Sequence, residues 1–166
     1  PGDVAARPRR PRRRILQALE TATVTGPPGE EIHTDEHGRV KVQFHWDREG
    51  RHDDHSSCWI RAMQPWAGPM WGAQFIPRVG MEVVVGFLAG DPDRPLILGA
   101  AYNGTHPTPF PLPADKTRSG LRTQSTPGGG GYNELRFEDA AGKEQVYLRA
   151  QRDLDERVGN DHTRVV

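Results

Sequence analysis

The last 48 residues, Ser119 to Val166, most constrain what this chain can become. They hold strand-like pieces, "YNELRF" and "KEQVYLRA", joined by Asp/Gly turns, yet only nine of the 48 are Leu, Val, Ile or Phe. That lies below the level of about 20% at which an isolated chain is expected to be disordered. Strands this poor in apolar groups cannot bury a core of their own. Either the segment is unfolded, or each chain supplies one thin wall of a core that identical copies complete. The second reading predicts an obligate homo-oligomer at this end.

Upstream the apolar content suffices for a small domain, and its pattern is β. In "GRVKVQFHW" Val40, Val42, Phe44 and Trp46 alternate with Arg39, Lys41, Gln43 and His45, which predicts an inward and an outward face. "DEHG" before it is a turn, with Gly38 at the position that needs positive φ. "ETATVTG", "SCWIRAMQ", "MEVVVGFLA" and "LILGA" bring the strand candidates to five, and no stretch predicts a helix of any length. Nineteen Gly and fifteen Pro fit short strands and turns. Five short strands predict a small barrel of the OB type, since a sandwich usually needs more. Between Met81–Leu88 and Leu96–Ala100 lies "GDPDRP", Gly90 to Pro95, which predicts a tight hairpin turn. "THPTPFPLPADKT", with four prolines in thirteen residues, cannot be sheet interior.

Formal net charge is zero but unevenly spread. Six of the 22 basic residues are Arg7, Arg9, Arg10, Arg12, Arg13 and Arg14, against one of the 22 acidic ones, Asp3. Residues 15–166 therefore carry 16 basic and 21 acidic side chains, a net of −5, which argues against a nucleic-acid groove in the body. The "PRRPRRR" segment reads as a proline-stiffened linker able to attract anionic partners. One cysteine excludes an internal disulfide, and no apolar stretch approaches a membrane span.

Sites of chemistry are few. His52, His55 and Cys58 in "HDDHSSC" stand at metal-like intervals, with His45 or His37 able to supply a fourth ligand. The plainer reading is a polar loop followed by Cys58 as a small buried group. "PGGGGYNE" lacks the Lys-Ser/Thr of a phosphate loop, and Ser56-Ser57 has no activating partner. Trp46 falls in phase with the core. Trp66 and Trp71, in a Gly-rich loop, are candidates to stack bases or to pack against a neighbouring subunit. No catalytic residue, cofactor or metal is expected.

The segments "GPPGEEIHTDEHGRVKVQFHWDREG", "SSCWIRAMQPWAG", "FIPRVGMEVVVGFLAGDPDRPLILGAAYNG" and "SGLRTQSTPGGGGYNELRFEDAAGKEQVYLRAQRDLDERV" occur in this order. Together, over roughly residues 20 to 166, they resemble the VgrG family, the spike proteins of bacterial type VI secretion systems, which is similar to the needle of contractile phage tails. The resemblance implies an all-β chain: a five-stranded OB-type barrel followed by the first strands of an intertwined trimeric β-helix. It divides the sequence into a basic linker from an upstream domain (1–19), the barrel (20–104), a Pro-rich connector (105–118) and the start of the shaft (119–166). It implies a non-enzymatic, structural part of a cell-puncturing spike that supports effector delivery. Upstream hub-like domains, most of the β-helix and any C-terminal effector extension are expected to lie outside this sequence. Its partners would be two further copies, the upstream hub-like domains of its parent chain, the secretion tube, a tip protein and effectors, with the target membrane met mechanically and no specific nucleic acid. The chain would be made in the bacterial cytoplasm, assembled on the apparatus and secreted to the exterior or into target cells. The residues expected to carry trimer assembly are Leu121, Tyr132, Leu135, Phe137, Val146, Leu148 and Leu154. The alternative from another class is an OB-fold module binding oligonucleotides or oligosaccharides.

Overall fold

A computed structural model describes residues 15–166. The basic run Arg7–Arg14 lies outside the described residues. The chain divides into two compact units, Pro1–His106 and Pro107–Val166.

The first unit is an all-β barrel. Its strands are β1 (Glu20–Thr25), β2 (Lys41–Phe44), β3 (Arg61–Ala62), β4 (Ala67–Gly68), β5 (Trp71–Gly72), β6 (Glu82–Phe87) and β7 (Pro95–Ala101). Five of them form a sheet in the order β2-β1-β6-β7-β3. All pairings are antiparallel except β3 with β7. The two outer strands then meet: Val40, just ahead of β2, and Ile60, just ahead of β3, exchange both backbone hydrogen bonds at 3.0 and 2.8 Å. That bridge turns an open sheet into a ring and leaves few free edges.

Register explains the core. Val42 faces Val24, and Ala22 lies between Phe44 and Val83, while Val85 faces Ile97. Directly opposed residues share a face, so these side chains converge with Val40 and Ile60 into one buried cluster. Between Val84 and Val85 the β6–β7 register shifts, leaving Leu98 as an extra residue. Such a bulge bends the pair, as curling into a barrel requires.

"GDPDRP" is a hairpin turn, as its composition predicts. The backbone amide of Leu88 donates to the Arg94 carbonyl at 3.0 Å, and Arg94 N–H donates to Asp91 O at 2.9 Å. The Asp91 carboxylate accepts from the Asp93 amide at 3.1 Å. The short 3-10 turn Leu88–Gly90 before it has Ala89 at φ 56° and Gly90 at φ 69°. Gly90 is required for a second reason. Its carbonyl accepts from Leu16 N–H at 2.8 Å, and a Cβ there would lie 2.4 Å from Ile15 Cγ2.

Two expectations for "GRVKVQFHW" fail at its end. β2 stops at Phe44, whose carbonyl accepts from Asp47 N–H, so Trp46 is not a core residue; it is 63% exposed, its ring stacked on Phe44 at 5.2 Å. Gln43, expected outside, is buried because the following loop folds back over it. Its Nε2 donates to the Asp47 carboxylate at 2.9 Å, and Gly50 lies so close that a Cβ there would overlap the amide. Cys58, expected to be buried, is exposed.

The second unit is a three-stranded antiparallel meander in the order β10-β9-β8, with β8 at Arg118–Arg122, β9 at Glu134–Glu138 and β10 at Gln145–Arg149. β8 escapes a reading by composition because "RSGLR" carries one apolar residue. Among the described residues no helix is long and apolar enough to cross a membrane.

Candidate functional site

The three-stranded sheet has its faces reversed relative to an ordinary domain. Cross-strand register sets Leu121 opposite Leu135 and Leu135 opposite Leu148, while Ser119, Phe137 and Val146 form the neighbouring row. Period-two alternation puts all of them on one face. That face is open: Leu135, Phe137, Leu148 and Val146 are 38, 40, 62 and 71% exposed.

The other face is charged and internally satisfied. Glu134, the first residue of the central strand β9, is 2% exposed. It accepts from Arg122 Nε through Oε2 and from Arg136 Nη1 through Oε1, the latter at 2.9 Å. Arg118 pairs with Glu138 at 3.0 Å and with Asp115 at 2.8 Å. The guanidinium groups also lie over aromatic rings. Arg122 and Arg149 lie 4.7 and 3.8 Å from the Tyr132 ring centroid, and Arg136 lies 4.4 Å from that of Tyr147. Such contacts hold charged groups without an aliphatic core. The Glu138 carboxyl is held below its usual range by the hydrogen bond from the Thr117 hydroxyl, then by the Ala140 amide and Arg118.

Five of the seven residues expected to carry assembly, Leu121, Leu135, Phe137, Val146 and Leu148, lie together on the open face. Tyr132 is not in that cross-strand row; Arg122 and Arg149 both lie over its ring, and its carbonyl accepts from Arg149. Leu154 lies beyond β10 in an exposed segment without strand pairing. Sequence reasoning misses the arginine–tyrosine contacts; the only signal for them is the interleaving of Arg122, Tyr132, Arg136, Tyr147 and Arg149 along the segment.

For a metal, Asp53, Asp54 and His55 bring ligand atoms within 4.8 Å of one another. Neither Cys58 nor His52 belongs to that group, and His55 is already engaged with Asp54 at 3.1 Å. Asp53 is committed to its own turn, accepting from the His55 amide at 2.8 Å.

The sheet also coincides with a family match. Residues 119–166 match the bacteriophage T4 gp5 C-terminal trimerisation domain, and residues 29–102 match the type VI secretion system/phage-baseplate injector OB domain. Three spike proteins of the type VI secretion system of Pseudomonas aeruginosa are similar over most of the chain. VgrG4b is 57% identical over 97% of it, VgrG5 56% over 91% and VgrG1a 52% over 89%. These alignments take in 20, 19 and 23% of the relatives, so the chain spans about a fifth of their length. An OB domain, a trimerisation domain and identities of this level, in one order along one sequence, place the chain in the VgrG family of type VI secretion system spike proteins.

Proposed function

We propose that three copies of this chain form the barrel and shaft base of a cell-puncturing spike in a contractile secretion machine, which supports effector delivery. The observation that carries it is the exposed row Leu121–Leu135–Leu148 beside Phe137 and Val146, on a sheet whose charged face is already satisfied. Three such walls brought together bury their apolar faces and leave the arginine networks outside, with a dry centre. In this reading residues 20–104 form the barrel, 105–118 connect, and 119–166 begin the shaft, fed by a linker at 1–19. The role is mechanical and not catalytic. Interlocked strands resist bending because their backbone bonds and apolar contacts are shared among chains. The hub-like upstream domains, secretion tube, tip protein and effectors are its partners. The protein is made in the bacterial cytoplasm, assembled on the apparatus and carried outward, meeting the target membrane by force.

Light scattering over a dilution series tests this. A mass of three chains that persists on dilution supports it. A mass of one chain at every concentration refutes self-assembly by this segment.

A further inference from the structure

The barrel carries an apolar arm as well as a core. Between β3 and β6 the chain projects a hairpin, β4–β5, joined by the two residues Pro69-Met70. Met63, Trp66, Trp71 and Phe75 are each more than half exposed, and Met70 at the tip is fully so. Five large apolar side chains at the surface of thirteen residues is an uncommon concentration for a protein that stays alone.

The arm is also firmly built. Gln64 clamps its base: its Nε2 donates to the Phe75 carbonyl at 3.0 Å and its Oε1 accepts from the Phe75 amide at 2.9 Å. Trp66 and Trp71 meet edge to face at 5.1 Å. The Trp71 indole lies against Gly68, where a Cβ would come within 2.3 Å of the ring, and Gly72 sits at φ 136° against the Trp66 carbonyl. Two glycines, a side-chain clamp and an aromatic pair thus hold apolar groups out in water, which is preorganisation for contact.

The same unit offers a matching concavity. A groove of about 640 Å³ runs along the β6–β7 hairpin, lined by Ile15, Leu16, Leu19, Phe87, Leu96 and Leu98, with no charged residue among the described ones that line it. Ile15 and Leu19 remain about two-thirds exposed. The preceding fourteen residues include six arginines and three prolines, a poor chemical match for such a surface.

We propose that the arm of one copy seats its Met70–Trp71 tip in the Ile15–Leu98 groove of the next. The inference rests on the trimeric reading above. In a cyclic trimer each barrel meets its neighbours through two different patches, and a head-to-tail contact of knob and groove closes after three. The barrels then add a second, ring-like interface to that of the shaft.

Disulfide trapping in the full chain tests it, in a Cys58→Ser background that removes the exposed natural cysteine. Met70→Cys combined with Leu19→Cys should oxidise to covalent trimers on a non-reducing gel, while either cysteine variant alone stays at one chain. Three-chain mass in light scattering with only single-chain bands on the gel overturns the knob-and-groove contact and leaves the trimer standing. Cross-linking by Met70→Cys alone also overturns it, since tips would then meet tips. A mass of one chain throughout would refute the trimeric reading itself, and the contact with it. As a second measurement, Met70→Asp should raise the concentration at which trimers dissociate by about tenfold or more, as for a buried interface anchor. No change in that concentration would overturn the contact.

Discussion

Leu135 and Leu148 stand directly opposite each other on β9 and β10, on a face open to solvent, while Glu134, one residue earlier on the same strand as Leu135, is buried. One strand therefore shields its charge and displays its leucine. That inversion leaves the apolar row of the sheet exposed in the single chain.

Replacing Leu135 and Leu148 together with Asp puts two carboxylates on this face. The expected result is loss of the three-chain mass in light scattering, with the barrel's near-ultraviolet circular dichroism retained. Trimers that survive the double replacement would contradict the assignment of the interface.

Glu134 holds two arginines, and removing one partner of a buried ion pair costs about 3–5 kcal/mol. Arg122 and Arg136 keep side-chain exposures of 32 and 19%, so solvent reduces the loss. Glu134→Gln should destabilise the second unit by about 2–3 kcal/mol in urea unfolding. Adding Arg122→Met and Arg136→Met to Glu134→Leu should recover much of it, because an apolar replacement leaves no orphaned charge. A Glu134→Gln change below about 0.5 kcal/mol would mean the cluster is ordinary surface charge.

Acid should weaken the second unit through Glu138. Thr117, the Ala140 amide and Arg118 depress its folded pKa below the ordinary 4.5. A depressed carboxylate contributes stability that is fully present above the unfolded value and is lost as pH falls through the folded one. The loss should therefore begin below about pH 4.5. Melting curves of Glu138→Gln against the parent between pH 3 and 7 should show a shallower fall for the variant; parallel curves would remove Glu138 from the account. Asp47 in the barrel is depressed in the same direction, by the Gln43 amide first and the Glu49 amide next. The comparison must accordingly rest on the difference between the two chains.

Ile60 sits where the barrel closes, at 1% exposure. Truncating a buried Ile to Ala costs about 2–5 kcal/mol through lost transfer energy and the cavity left behind. Ile60→Ala should lower the barrel's urea midpoint accordingly, and an unchanged midpoint would mean the Ile60 side chain contributes little to the barrel core.

Much of this architecture is legible in the amino-acid sequence alone. Alternation in "RVKVQF" and the β-branched run of "EVVVGF", bounded by Gly and Pro, predict short strands, because side chains two apart share a face and an unsatisfied apolar face must close on itself. The scarcity of Leu, Val, Ile and Phe after Ser119 likewise leaves two readings, an unfolded segment or one completed by further copies. Sequence does not show which groups a single chain satisfies alone. Trp46 leaves the core and Gln43 enters it because β2 ends at Phe44 and the loop returns over the strand, and loop return is a matter of tertiary contact. Nor does sequence show that Arg122 and Arg149 both lie over the Tyr132 ring. The two-residue tip of the β4–β5 arm is likewise hidden in a Gly-rich run, since its strands are two residues each and have no period to read. Local pattern determined the strands and the poverty of apolar groups in the last of them; only the folded chain decided which face each residue keeps, because that depends on loop returns and cross-strand approaches that no residue period encodes.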